Sequence, residues 1–158
     1  MKKALCMAMM GVLLSCGGKK EAKKEAPVVM MGQWAESNIW GLRVDSISDK
    51  ITPGMDRYYK LVYASVKNIT QSEQPFMLQD MALVMLVERR DTAEMKYQID
   101  GIVSQSEMNK RKYPVSTTVK AGGEIKVILA YSLPVEARPN LLKVNDGVGP
   151  KVSYVRLE

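Results

Sequence analysis

The 158-residue chain contains few side chains that could perform catalysis. It has no histidine, so it lacks the usual general base near neutral pH and the commonest metal ligand. Its two cysteines, Cys6 and Cys16, are too few for a zinc site built on thiolates. The sequence contains no phosphate-binding loop of the Gly-x-x-x-x-Gly-Lys-Ser/Thr type. Its one Gly-Gly pair after the signal-like segment and linker, Gly122-Gly123, is followed by an acid, Glu124, where a phosphate would lie. We therefore expect no enzyme, no metal and no cofactor.

Two aspartates are the strongest remaining candidates for catalysis. Glycoside hydrolysis uses a pair of carboxyl groups held close together across a sugar. Asp80 and Asp100 each adjoin an apolar strand rather than a run of charges, which separates them from the other acids. The alternative is an aspartate that forms a turn by accepting hydrogen bonds from nearby backbone N–H groups. We favour that alternative, so a carboxylate-dependent hydrolase is the least favoured function.

A basic cluster and a tryptophan are the candidates for partner binding. The cluster consists of Lys110, Arg111, Lys112 and Tyr113, and it closes a long polar stretch that we predict to be irregular. Long loops often carry function, so the cluster could meet an acidic partner or an anionic glycan; a solvated loop is the alternative. Trp34 precedes the first predicted strand and is either an exposed contact or a plug at the end of the fold.

The elements that must position these residues are predicted to be strands. Trp40, Leu42 and Val44 alternate with small or polar residues, which is typical of a half-buried strand. Large side chains occupy both faces of 58–66, so we expect a central strand there. The other predicted strands are 76–78, 82–87, 95–99, 115–119, 124–133, 140–144 and 152–157.

About eight short strands at this spacing predict an all-β fold, an antiparallel immunoglobulin-like β-sandwich. We expect no parallel pairing, because parallel strands need crossover connections that are usually helices. In the stretch Asp100 to Lys112 we expect one helical turn at most, around Ser106-Glu107-Met108.

The N-terminal segment predicts export. Lys2 and Lys3 precede the apolar run Ala4 to Leu14, whose 11 residues are typical of a secretory signal peptide. A membrane-spanning helix needs ~20 residues. The run ends in Leu13-Leu14-Ser15-Cys16, which resembles the lipobox of bacterial lipoproteins. That resemblance implies removal of residues 1–15 and attachment of acyl chains to Cys16, which then hold the protein at a membrane.

The position after the cysteine bears on where such a protein resides. Gly17 is not the aspartate that retains lipoproteins at the inner membrane in enteric bacteria. By analogy, we expect the outer membrane in a cell with two membranes, and otherwise the outer face of the plasma membrane.

Residues 16–26 form a linker between the anchor and one domain, 27–158. The linker sequence GGKKEAKKEA has almost nothing apolar to bury, so we expect a disordered tether. Its lysines are either solvated or add affinity for anionic headgroups. The 132 residues that follow suit a single domain. That domain has 17 Lys and Arg against 15 Asp and Glu, a balance that excludes a nucleic-acid binder on charge grounds.

Three stretches carry a second resemblance. Val62-Tyr63-Ala64-Ser65-Val66-Lys67-Asn68 is followed by a polar gap and Leu83, and Val119-Lys120-Ala121-Gly122-Gly123-Glu124 precedes a strand that ends at Leu133-Pro134. This order is similar to the DUF4352 type of immunoglobulin-like domain in exported bacterial proteins, over roughly Trp40 to Val144. The resemblance implies an extracytoplasmic module with no agreed activity.

The resulting functional hypothesis is a lipid-anchored interaction module at the cell envelope. Its expected partners are the membrane, through the acyl chains on Cys16, and an envelope protein. The alternative is a domain that binds a small ligand or a glycan in a pocket between its sheets. The oligomeric state stays open.

Overall fold

The computed structural model describes residues 26–51, 54–78, 84–87 and 95–158. Predictions for the signal peptide, Cys16, the linker up to residue 25, and Asp80 therefore lie outside the described residues. The described elements are β1 (Val28–Met30), β2 (Trp34–Glu36), β3 (Trp40–Ile51), β4 (Arg57–Asn68), β5 (Gln74–Met77), β6 (Val84–Val87), β7 (Met95–Gln98), α1 (Gly101–Lys110), β8 (Ser116–Val119), β9 (Glu124–Pro134), β10 (Leu141–Val144) and β11 (Ser153–Arg156).

Two sheets and a short ribbon make up the described fold. One sheet has the strand order β2-β3-β4-β9, and the other has the order β1-β11-β10-β6-β7. Strands β5 and β8 form the separate two-stranded ribbon. The predicted all-β sandwich is confirmed, and β4 lies between β3 and β9 as the large side chains on both its faces predicted.

The hydrophobic core lies between the two sheets. Val62, Ala64 and Val66 of β4 are fully buried in it, as the period-two alternation of that strand requires. Trp40 is also buried, and its ring meets that of Phe76 edge to face with centroids 5.4 Å apart. The inward side chains of one sheet face those of the other, which is how a sandwich hides apolar surface.

The stretch after Asp100 is a ten-residue helix, so the prediction of an irregular segment was wrong. An apolar stripe normally reveals a helix in the sequence. Helix α1 has no such stripe, because it buries only Ser104 and Met108. Its stability comes instead from contacts with β9 and from Asp100, the N-cap, whose side chain accepts a hydrogen bond from the Val103 N–H.

The expectation of no parallel pairing was also wrong. β1 runs parallel to β11, with Val28 opposite Tyr154 and Met30 opposite Arg156. No crossover helix is needed, because nearly the whole domain connects these two strands. The strands β1 and β2 were not predicted, since each is only three residues long and too short to show a period.

Candidate functional site

The side chain of Asp100 is occupied by hydrogen bonds at the start of α1. Its Oδ1 accepts a hydrogen bond from the Val103 N–H at 3.0 Å, and its Oδ2 accepts one from the Tyr59 hydroxyl at 3.2 Å. Burial and this hydrogen-bonded carboxylate raise the pKa of Tyr59. Among the described residues, no group of three or more acids or cysteines could hold a metal ion. Asp100 thus caps a helix, and Asp80, its proposed partner, is not described.

The same helix start protects the edge of β9. The Ala130 N–H donates to Ser104 Oγ at 2.8 Å, and the Ala130 carbonyl accepts from the Asp100 N–H at 2.7 Å. The Ser104 hydroxyl in turn donates to the Asp100 carbonyl at 2.7 Å. An uncovered strand edge is a ready template for pairing with another chain, and α1 removes that opportunity at β9.

The basic cluster lies at the C-terminal end of α1 rather than in a loop. Lys110 Nζ is 2.8 Å from Glu107 Oε1, and Lys50 of β3 approaches the same oxygen at 2.9 Å. These two ammonium groups lower the pKa of Glu107. Cations at the end of a helix also complement its dipole.

The remaining three members of the cluster have different environments. The Arg111 guanidinium lies over the ring of Tyr63, 5.0 Å from its centroid. Lys112 is exposed and follows the C-cap residue Arg111, with a positive φ of 56°. Tyr113 is half-buried against the core, and its N–H donates to the Met108 carbonyl. Arg111 and Lys112 are therefore the members most open to a partner.

Trp34 lies on the face of the β2-β3-β4-β9 sheet that points away from the core. Its ring covers Gly41, where a Cβ atom would come within 3.3 Å of a ring carbon. The Arg43 guanidinium stacks 4.8 Å from the ring centroid. Trp34 is half-buried under this cation, on the outer face of the sheet rather than at the end of the sandwich.

Arg43 anchors a polar network on that face. Its side chain donates to Asp45 at 2.8 Å, to Ser65 at 3.2 Å and to Glu124 at 3.2 Å. The hydrogen bond to Asp45 raises the pKa of Arg43, which stays charged at any physiological pH.

The strand register places the two predicted binding regions on one surface. Trp34 is opposite Arg43, and Arg43 is opposite Ser65 on β4. Tyr63 lies two residues from Ser65, so it points to the same side and brings Arg111 with it. The structure thus gathers Trp34 and Arg111 on the outer face of one sheet.

A feature that the sequence analysis missed is the open edge of β3. The strand continues to Ile51, seven residues beyond Val44, the last residue of the alternation that predicted it. β2 pairs with β3 only at residues 41–43, and an irregularity interrupts the register between Val44 and Ser46. Residues 46–51 are paired with β4 on one side, and the described part of the chain provides no strand on the other.

The backbone groups available at this edge follow from the register. Ala130 of β9 is opposite Leu61 of β4, but its N–H and C=O bond to α1 and not to β4. The two residues therefore form a non-hydrogen-bonded pair, and the N–H and C=O of Leu61 point the other way, toward β3. Ser48, opposite Leu61, therefore bonds to β4. Because direction alternates along a strand, the backbone groups that point outward belong to Ile47, Asp49 and Ile51.

A groove of about 360 Å³ runs under the same three residues. Its apolar wall includes Ile51 and Val135, which are 72% and 48% exposed. Lys60 and Arg138 supply its cations: Lys60 is ion-paired with Asp49 at 2.6 Å, and Arg138 donates to the Val135 carbonyl at 2.7 Å. The groove therefore combines exposed apolar surface with paired charges.

The aromatic side of the groove is held by Tyr58. Its hydroxyl donates to the Ala137 carbonyl at 3.1 Å, which fixes the segment after β9. Burial, followed by the nearby Asp49 carboxylate, raises the pKa of Tyr58. One sequence signal could have revealed this wall. Ile47 and Ile51 are four residues apart in a polar stretch, so in a strand both side chains lie on the same face.

Comparisons with known proteins identify the fold and nothing finer. No protein-family model matches the chain, so membership of the DUF4352 family is not shown. No curated protein sequence matches it either.

Two solved structures resemble the chain in three dimensions. An uncharacterized β-sandwich protein from Clostridium difficile 630 aligns with a TM-score of 0.50 and 12% identity, over 88% of this chain and 99% of that one. The yjhA protein from Bacillus subtilis aligns with a TM-score of 0.52 and 12% identity, over 82% of this chain and 99% of that one. At such identities the likeness shows a β-sandwich fold alone.

Within the described ranges, the structure contains no helix with the length and apolar character needed to cross a bilayer.

Proposed function

We propose that this protein is a lipid-anchored, extracytoplasmic interaction module of the bacterial cell envelope, and that it binds an extended segment of a partner protein. The observation that carries the proposal is the open edge of β3 from Ser46 to Ile51, with a groove beside it. The anchor is supported by the signal-like residues 1–15 and by Cys16 after them. The proposal is one of binding without catalysis, acting through shape and backbone hydrogen bonds.

Strand addition explains why an edge and a groove belong together. An extended peptide that lies beside a sheet edge gains main-chain hydrogen bonds, and its alternate side chains enter neighbouring pockets. Ile47, Asp49 and Ile51 each present an N–H and a C=O to such a strand. Each hydrogen bond contributes about 0.5–1.5 kcal/mol net. The exposed apolar wall at Ile51 and Val135 then selects which side chains the partner presents.

Two substitutions at Asp49 separate the contribution of its backbone N–H at the strand edge from that of its carboxylate. Asp49→Ala removes the carboxylate that pairs with Lys60 but keeps the outward N–H. Asp49→Pro removes both, and proline is tolerated on edge strands whose N–H faces solvent. We expect a photoreactive residue at position 51 to crosslink an envelope protein in the parent and in Asp49→Ala, and to lose that product in Asp49→Pro.

Controls make this experiment decisive. The same photoreactive residue at Val148, a remote and 68% exposed position, should not yield the product. Thermal unfolding of both Asp49 variants shows whether each retains its fold. Crosslinking that survives in a folded Asp49→Pro protein would contradict binding through backbone groups, and equal loss in both variants would assign binding to the carboxylate.

The anchor has its own test. Cells grown with labelled fatty acid should incorporate the label into the parent protein and not into Cys16→Ala. A Cys16→Ala protein that still carries the label would contradict acylation at this residue without affecting the edge proposal.

The groove also supports a second candidate, binding of a small ligand or a glycan. Its volume of about 360 Å³ lies in the range of small-molecule sites, and Lys60 and Arg138 converge on it. A compound that raises the unfolding temperature of the parent protein but not of Arg138→Ala would favour this candidate. Ligands that protect both proteins equally would count against it.

A further inference from the structure

We infer that the outer face of the β2-β3-β4-β9 sheet docks on an anionic lipid bilayer. This inference rests on the anchoring proposed above, and it concerns a surface distinct from the groove of the β3 edge. We call this surface the basic face. Its cations are Arg43, Lys50, Arg57, Lys67, Lys110, Arg111 and Lys126.

Opposing charges on the basic face are fewer. Its carboxylates are Glu36, Asp45, Asp100, Glu107 and Glu124, five against seven cations. All of Asp45, Glu107 and Glu124 are engaged by cations of the same face. The face is thus net positive, although the domain 27–158 as a whole has only two more basic than acidic residues. This face therefore carries the entire positive excess of the domain.

The groove provides an internal comparison. There, Lys60 and Arg138 are balanced by Asp49 and Glu158. A surface that attracts an anionic sheet of headgroups needs an unbalanced excess, because attraction acts on the summed charge within a Debye length. Only the basic face meets that condition among the two surfaces described.

Two aromatic rings lie among the cations of the basic face. Arg43 stacks on Trp34, and Arg111 stacks on Tyr63. Such stacking holds each guanidinium at the surface, pointing outward from a rigid sheet. Tryptophan and tyrosine are also enriched where proteins meet the headgroup region. A broad face formed by the sheet and by α1 packed on it, with fixed arginines and interfacial aromatics, fits an extended anionic surface better than it fits a narrow ligand.

The length of the linker allows this contact. Residues 16–26 can extend by roughly 3.3–3.6 Å each, so the domain stays within about 40 Å of its anchor. Tethering converts docking into an intramolecular event with a high effective concentration. Modest electrostatic attraction is then enough to orient the domain with the basic face on the bilayer.

The test measures orientation in the acylated full-length protein. The protein is placed in nanodiscs of neutral lipid, or of neutral lipid with one third anionic lipid. Ser46→Cys reports the basic face, because Ser46 is exposed and pairs with Tyr63. Val148→Cys, 68% exposed in the loop after β10, is the reference. At low salt, anionic discs should slow maleimide labelling at position 46 by at least about three-fold relative to position 148, and ~1 M salt should abolish the difference.

Matched charge variants locate the effect. Lys67→Gln with Lys126→Gln removes two cations from the basic face, and Lys143→Gln with Arg156→Gln removes two from the outer side of the other sheet. Both proteins have the same net charge. Protection of position 46 should disappear in the first variant and persist in the second.

Three labelling results in the discs would overturn the inference. These are equal labelling rates in neutral and anionic discs, protection in neutral discs, and equal effects of the two variants. Protection that requires a soluble polyanionic glycan would also overturn it, since the ligand would then not be lipid. Intact mass of the reconstituted protein reports acylation, so a failure of the anchor is distinguished from a failure of docking.

Discussion

Replacing Asp146 by asparagine should destabilise the domain and remove part of its acid sensitivity. Asp146 is 6% exposed in the turn after β10, and it holds the turn before β3. Its Oδ2 accepts the N–H groups of Asn38 and Ile39, both at 2.7 Å. Its Oδ1 accepts the Asn38 amide at 3.0 Å and the Val148 N–H at 3.1 Å. An asparagine offers one oxygen, so its NH₂ would face two donors in either orientation.

The magnitude follows from the pKa of Asp146. Burial opposes ionisation, but the hydrogen bonds from Ile39, Asn38, Ser37 and Val148 outweigh it and lower the pKa from 3.8 to about 2. A difference of nearly two units corresponds to about 2.5 kcal/mol of stability at neutral pH.

The sign of the pH dependence is set by the order of the two pKa values. The unfolded carboxyl takes up its proton near pH 4, before the folded one does near pH 2. The stabilisation is therefore complete above about pH 5 and is lost as the pH falls through that interval.

Urea denaturation of the parent and Asp146→Asn at pH 7 and at pH 2.5 measures both quantities. We expect the variant to be less stable by about 2 kcal/mol at pH 7 and the gap to shrink at pH 2.5. Other carboxyl groups titrate alike in both proteins, so the difference isolates this residue. A variant as stable as the parent at pH 7, or a gap that is the same at both pH values, would refute the reasoning.

Three further substitutions test other contacts. Tyr131→Phe should be neutral or stabilising by up to about 1 kcal/mol in urea denaturation, because the buried Tyr131 hydroxyl has no hydrogen-bond partner among the described atoms. Ser104→Ala should cost about 1–3 kcal/mol, since it leaves the Ala130 N–H unpaired, and hydrogen exchange of that amide should accelerate. Gly149→Ala should cost about 1–3 kcal/mol in the same denaturation assay, because a Cβ there would lie 2.6 Å from Asn38 Oδ1; an unchanged midpoint would contradict the crowding.

The fold class was predictable because period-two alternation is a local property. In β4, Val62 and Val66 report burial on one face without reference to any other strand. The helix was not predictable in the same way. α1 is stabilised by Asp100 and Ser104, which bond to a strand about 26 residues later, and such contacts leave no periodic pattern.

The candidate surfaces were predictable only in part. Trp34 and Arg111 were singled out as separate features, and their common face depends on the register between β2, β3 and β4. The open edge of β3 was missed because an edge is defined by which strand is absent beside it. Strand order is a long-range property, so no pattern within residues 46–51 could reveal it.

The parallel pairing of β1 with β11 determines how the domain would bear mechanical load. The proposed membrane tether would join the fold at Pro27, whose carbonyl accepts a hydrogen bond from the Tyr154 N–H at 2.9 Å. Tension along the axis of β1 loads that bond and the pairing from Val28 to Met30 in shear, so they resist together instead of unzipping one after another. If the proposed anchor and partner pull against each other, the force would reach the short β1–β11 pairing at the edge of the sheet before it reaches the hydrophobic core.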